Sequence, residues 1–250
     1  MAGGHLIDAL DLDIYSTTVK SISVKLLQVI AHKANLEILC GDIGNIYVNA
    51  YTNEKLYAIT GDEFGKAMKG SIVIIVRALY GLRTSSELWH NHLAETLSGF
   101  NFKPKRYDND IWIHQHEDGN CYDYICIHVD DFMAVGKRAQ RIMDEIKSVY
   151  TVKAEGPPDY YLGNDYKRDK KGSLCVGSKK YTKEVLTRIE NIFSTLKKYD
   201  NPSETGNNPE LDDSWALGDE EHRQYQMLMG TLIWVVGLGR YYMAHATSSL

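Results

Sequence analysis

Two adjacent carboxylates, Asp130 and Asp131, close an alternating run, Tyr124-Ile125-Cys126-Ile127-His128-Val129, and Phe132-Met133-Ala134-Val135 follows at once. Strand residues alternate faces, so Tyr124, Cys126 and His128 share one face and Ile125, Ile127 and Val129 the other. Two apolar strands with carboxylates between them read as a β-hairpin that offers its turn to a cation. Adjacent carboxylates repel each other, and oxygen-seeking Mg2+ relieves the repulsion. A solvated Asp-Asp turn uses the same residues, and this motif alone does not separate the two. A second apolar run, Leu36-Glu37-Ile38-Leu39-Cys40-Gly41, also ends in an acid, Asp42, with an aromatic, Tyr47, five residues further on. Two strands that each end in Asp predict carboxylates converging on one edge.

With these acids and their neighbours the chain resembles reverse transcriptases, specifically the copia-type retrotransposon branch. Asp42 and the Asp130-Asp131 pair resemble that family's motifs A and C. The likeness runs in order along nearly the whole chain. Ala2-Gly3-Gly4-His5 and Tyr15 to Lys20 resemble the entry segment, and Ala78-Leu79-Tyr80-Gly81-Leu82-Arg83-Thr84-Ser85 the motif B region. Asp159-Tyr160-Tyr161-Leu162-Gly163 resembles the strand beyond the catalytic hairpin, and Lys180-Tyr181 opens a helix like the one that follows it.

The resemblance implies an RNA-directed DNA polymerase, which adds dNTPs to the 3′-hydroxyl of a DNA or RNA primer on an RNA template. Two Mg2+, with Mn2+ as a substitute, would be held by Asp42, Asp130 and Asp131, with the Ile43 carbonyl as a further ligand. Such a pair activates the primer hydroxyl and holds the triphosphate. Tyr47 occupies the family's steric-gate position, where a ring excludes a 2′-hydroxyl; simple core packing is the alternative. Tyr80, Gly81 and Arg83 would lie near the nascent base pair, and His128 near the primer terminus. An inactive remnant that folds and binds nucleic acid is the competing reading. An unrelated Mg2+-dependent phosphohydrolase lacks an obvious water-activating base.

Elements that could place these residues follow from periodicity. A helix over about Ser21–Lys33 carries Ile22, Leu26, Val29 and Ile30 on one stripe. Leu56–Ile59, Ile72–Val76 and Ile111–Ile113 read as strands. Thr84-Ser85-Ser86-Glu87 reads as a capping box, opening a helix that buries Leu88, Trp89, Leu93 and Leu97. Further helices are expected over about Arg138–Tyr150, after Ser178 with Tyr181, Val185, Ile189 and Phe193 inward, and over Glu220–Arg240. The expected class is α+β: a reverse-transcriptase palm, an antiparallel sheet with packed helices, with partial fingers and a helical thumb. Residues 1–165 would form fingers and palm, 166–199 a basic thumb-like segment, 200–216 a linker, and 217–250 the start of a helical connecting region.

The 250 residues are 44% hydrophobic, ample for a core, and carry a net charge of −5. Residues 166–199 hold ten Lys/Arg against three acids, a surplus of seven on an acidic chain. That stripe, with Lys179, Lys180 and Lys183, suits a phosphate backbone; a solvated helix face is the alternative. The apolar stretch Met227–Gly239 is too short for a membrane span, which needs about 20 residues. No signal peptide is visible at Met1-Ala2-Gly3-Gly4-His5, so no membrane partner is expected and the location expected is cytoplasmic. Cys40, Cys121, Cys126 and Cys175 form no Cys-x-x-Cys pair and read as reduced thiols rather than zinc ligands. His90-x-His92 and His114-x-His116 read as solvated, and Asp108 and Asp110 as a turn before a strand. By the resemblance, the ribonuclease H and integrase segments of such a polyprotein are expected to lie outside these residues. Two residues depart from the family pattern: His128 stands where Tyr is usual, and Ile46 where Ala is usual, with overpacking as the expected cost.

Overall fold

The computed structural model describes residues 16–116, 119, 121–193, 196–202, 213 and 215–249. Residues 2–5 and Tyr15, and most of the linker expected at 200–216, lie outside the described residues. The chain divides into two compact units, Met1–Pro157 and Pro158–Leu250. The break falls within Gly156-Pro157-Pro158, upstream of the expected boundary at 165. Consecutive prolines supply no backbone donor and hold the preceding residues extended, so neither a ladder nor a helix continues through them.

Among the described residues, the first elements of the first unit are α1 (Ser21–Lys33) and β1 (Glu37–Ile43). A short 3-10 turn, Ile46–Asn49, leads to the hairpin β2 (Tyr51–Ile59) and β3 (Ile72–Arg77). Then come α2 (Ser85–Gly99), β4 (Lys103–Lys105), β5 (Asp108–Gln115), β6 (Tyr122–His128), β7 (Asp131–Gly136), α3 (Ala139–Lys147) and β8 (Val152–Gly156). Six strands form one antiparallel sheet in the order β4-β5-β6-β7-β1-β8. Strand β7 sits inside it, and every residue from Phe132 to Gly136 is buried. Trp89, Leu93 and Leu97 recur at helical spacing on α2 and join Ile142, Met143 and Ile146 of α3. Together they pack on Ile43, Ile125, Ile127, Phe132 and Ala134, one face of the sheet. Gly41 belongs to that face. A Cβ there would stand 2.7 Å from the Phe132 ring, so the missing side chain lets that ring cross β1.

Three expectations need correction here. Helix α1 has the expected span, but it buries Val24, Leu27, Gln28 and Ala31, while Ile22, Leu26 and Val29 are exposed. Both stripes have helical spacing, and periodicity cannot choose between them; packing against β7 does. The capping box at α2 does not form. Thr84 is already helical and makes no cap bond, because its hydroxyl donates instead to the Glu54 carboxylate on β2. Leu88 is only half-buried, and Ser85 takes an inner place.

The second unit holds β9 (Tyr160–Tyr161), β10 (Asn164–Arg168) and β11 (Leu174–Gly177), then α4 (Lys179–Phe193), α5 (Asp219–Gly237) and α6 (Ala244–Ser248). The three strands pair in the order β11-β10-β9, and α4 packs on β10. The stripe expected on α4 is buried at Val185, but Phe193 is exposed. Fifteen helical residues span about 22 Å and the five of β10 about 17 Å, so the helix outruns the strand beneath it.

Candidate active site

The register of the central strands draws a row of four charged or titratable residues. Asp42 on β1 is directly opposite Asp131 on β7, and Asp131 is directly opposite His128 on β6. On the other side Asp42 faces Lys153 on β8. Facing residues of an antiparallel pair share a face, with Cα atoms about 4.5–5.5 Å apart. The row therefore reads His128, Asp131, Asp42, Lys153 across four strands. Asp130 occupies the turn between β6 and β7, and its carbonyl accepts the Ile43 amide at 2.8 Å. That bond ties the turn to the end of β1. The pKa of Asp131 is raised, first by burial, then by the carboxylates of Asp130 and Asp42, against an opposing effect of His128.

The donor set suits a hard divalent cation: three carboxylates at one edge, one of them held above the usual carboxylate range by burial and by the other two. Among the described residues, no three His, Cys, Asp or Glu side chains already surround a common point. Chelation therefore needs the carboxylates to turn toward an ion.

Val129, beside Asp130, has φ +62°, a left-handed conformation that is an outlier for a β-branched residue. Its cost is about 1–2 kcal/mol. The Val129 carbonyl accepts the indole N–H of Trp89 on α2 at 2.8 Å. A cavity of about 260 Å3 lies beside this contact, lined by Tyr47, Ser86, Trp89, Asp110 and Val129 among others.

Tyr47 lies on the 3-10 turn, because β1 ends at Ile43 and Asn45 turns the chain at φ +52°. Its ring meets that of Tyr80 edge-on at 4.6 Å, and its hydroxyl bonds Ser86 Oγ at 3.1 Å. The Tyr80 hydroxyl has a raised pKa, from slight burial first and then from Asp130, Tyr47 and Asp42. Tyr80 thus stands within electrostatic reach of both carboxylate tips. Gly81 has φ +93°, a value that glycine takes without strain, and it turns the chain toward α2. Arg83 is exposed on the same connection. Ile46, expected to overpack, is a fully buried member of the core with Ile43 and Trp89.

Lys179, Lys180 and Lys183 belong to the second unit. They line a cavity of about 670 Å3 there, together with Lys167, Arg240 and Tyr242. Lys180 also lies over the Tyr160 ring at 4.5 Å.

The histidines are not simply solvated. His90 Nε2 bonds the buried Asp110 at 2.8 Å. His116 Nε2 bonds the buried Asp123 at 2.8 Å, and its Nδ1 accepts from Arg138. His92 packs against Trp89 and Tyr150. Buried carboxylates demand partners, and these imidazoles supply them. Asp108 and Asp110 open β5 itself rather than a turn before it, and Asp108 accepts the amides of Lys20 and Asp110. Lys153 had no signal in the sequence, and Trp89 only that of a core residue. One is placed by a bulged register and the other by a contact between distant elements.

A family profile described as reverse transcriptase (RNA-dependent DNA polymerase) matches residues 4–197. The putative transposon Ty5-1 protein of Saccharomyces cerevisiae is 22% identical over 80% of the chain and 64% of its own length. The retrovirus-related Pol polyprotein from transposon RE1 of Arabidopsis thaliana is 23% identical over 71% of the chain and 12% of its own. For that from transposon TNT 1-94 of Nicotiana tabacum the figures are 23%, 71% and 14%. The chain thus spans under two thirds of each of these relatives. The profile spans most of the chain and the relatives are transposon proteins: the chain belongs to the reverse transcriptase family, in its copia-type retrotransposon branch.

Proposed function

We propose that the chain is the RNA-directed DNA polymerase portion of a copia-type retrotransposon polyprotein, adding dNTPs to a primer 3′-hydroxyl on an RNA template. The observation that carries this reading is the direct opposition of Asp42 and Asp131, with Asp130 in the adjoining turn. Asp42 and Asp130, with the Ile43 carbonyl, would hold a pair of Mg2+, and Asp131 would be the weaker ligand. Bound divalent ions lower the pKa of the primer hydroxyl and balance charge on the triphosphate.

The other residues orient and exclude. Tyr47, steadied by Tyr80 and Ser86, excludes a sugar 2′-hydroxyl. Tyr80, Gly81 and Arg83 border the nascent base pair. His128 donates a hydrogen bond near the primer end, in line with the carboxylates. The first unit would correspond to palm and partial fingers. The basic cavity of the second unit, with Lys179, Lys180 and Lys183, grips template-primer phosphates.

The test is primer extension on an RNA template with dNTPs and Mg2+. Wild type should extend, and Asp42→Asn or Asp130→Asn should remove nearly all product while melting like wild type. Near-wild-type extension by either variant refutes the assignment. A folded remnant that binds nucleic acid without turnover is favoured by His128 and Ile46, which stand where the family usually has Tyr and Ala. Binding of template-primer without extension would select it.

A further inference from the structure

The turn bearing Asp130 is held from outside by three segments of the first unit. The Val19 amide donates to the Ile127 carbonyl at 3.2 Å, and the Ile43 amide to the Asp130 carbonyl at 2.8 Å. The indole N–H of Trp89 donates to the Val129 carbonyl at 2.8 Å. The first two donors are backbone groups. The third is a side chain with a single donor and nothing to accept. It grips the residue that is strained, Val129 at φ +62°.

A β-branched residue leaves the left-handed region once nothing holds it there. The peptide linking Val129 to Asp130 would then rotate, and the Asp130 carboxylate would swing with it. Trp89 suits the task of preventing this. Its ring is 2% exposed and packs edge-on against Tyr150, so the N–H is a fixed point.

We infer that Trp89 is a positioning residue: its indole N–H fixes the Val129–Asp130 peptide and so aims the Asp130 carboxylate. The inference rests on the reading of Asp42, Asp130 and Asp131 as the reaction centre. Trp89 touches no reacting atom and acts only through the peptide that it holds.

The experiment compares Trp89→Phe, Val129→Gly and the double variant. Phenylalanine keeps a ring but donates nothing. Glycine adopts a positive φ unaided, so at 129 it needs no hold. A site-specific benzothienylalanine at 89, with sulfur in place of the N–H, removes the donor at nearly constant volume and serves if Trp89→Phe does not fold. Two quantities are read: steady-state primer extension, and amide exchange of peptides covering residues 124–135.

Loss of the donor should lower kcat about tenfold, with KM for dNTP within about twofold, and speed exchange at Asp130 and Asp131 by about tenfold. The double variant should return both to within about threefold of Val129→Gly alone. Equal losses in the single and double variants would show that Trp89 matters only as packing and would overturn the inference. So would a donor-free variant that matches wild type in both readouts. If wild type fails to extend any primer, the polymerase reading falls, and the exchange measurements still decide the role of Trp89.

Discussion

Tyr47 is the residue whose role can be tested most sharply. Its ring is fixed twice, by the edge of Tyr80 and by the hydroxyl of Ser86, so it presents a wall rather than a mobile flap. If that wall excludes a 2′-hydroxyl, Tyr47→Ala should admit ribonucleotides, lowering dNTP-over-rNTP discrimination by about a few hundredfold, or about 3–4 kcal/mol. Competitive incorporation assays would measure the ratio. An unchanged ratio in active protein would leave Tyr47 as a core aromatic. At this scale the sequence was informative about acids and poor about their neighbours. Alternation marks Asp42 and Asp131 as strand-end residues, because period-two burial is a local property. That Lys153 faces Asp42, or that Trp89 holds Val129, depends on register and long-range contact, which no local pattern encodes.

Elements were legible where hydrophobic spacing had one solution. The strands β1, β6 and β7 follow their apolar runs closely. Helix α1 carries two apolar stripes, and its inward face was decided by what it met. The expected cap of α2 failed because Glu54, distant in sequence, took the Thr84 hydroxyl. The same helix is joined to β5 by His90 and Asp110, and that link should respond to pH. The hydrogen bond to Asp110 raises the His90 pKa, against burial, which lowers it. A histidine whose folded pKa lies above its unfolded value contributes stability that is fully present below about pH 6.5. The contribution is lost as pH rises through the folded value. Thermal melts of wild type and Asp110→Asn should therefore differ most in mild acid, and the gap should narrow as the medium becomes alkaline. A gap independent of pH would mean that the pair acts as a neutral hydrogen bond.

For the whole molecule, the charge pattern suggested a boundary at 165, whereas the chain divides at Pro157 and Pro158, and the strands after them join the basic helix rather than the central sheet. Sequence showed the excess of lysines in 166–199 but not its extension to Arg240, which lines the same cavity from beyond α5. If this unit holds template-primer phosphates, neutralising Lys179, Lys180 and Lys183 should weaken binding to all sequences alike. The slope of log affinity against log salt should flatten by about 0.9 for each duplex phosphate that the protein no longer neutralises. Fluorescence anisotropy over a salt series would measure it, and an unchanged slope would reduce the lysines to a solvated face.

One row inward from the carboxylates, on the same face of the sheet, lie Cys126, Met133 and Cys40 in direct register. Both cysteines are buried, and the Cys40 thiol is pushed far up, first by burial and then by Cys126 and Asp131. Two strand spacings separate the cysteines, about 9.5 Å, beyond the roughly 7 Å that a disulfide tolerates. Oxidants attack a cysteine as its thiolate, a disulfide needs proximity, and Met133, which needs no ionisation, is shielded by complete burial. In redox terms the floor of the carboxylate edge is inert: neither cross-linking nor sulfur oxidation reaches it unless the sheet first opens.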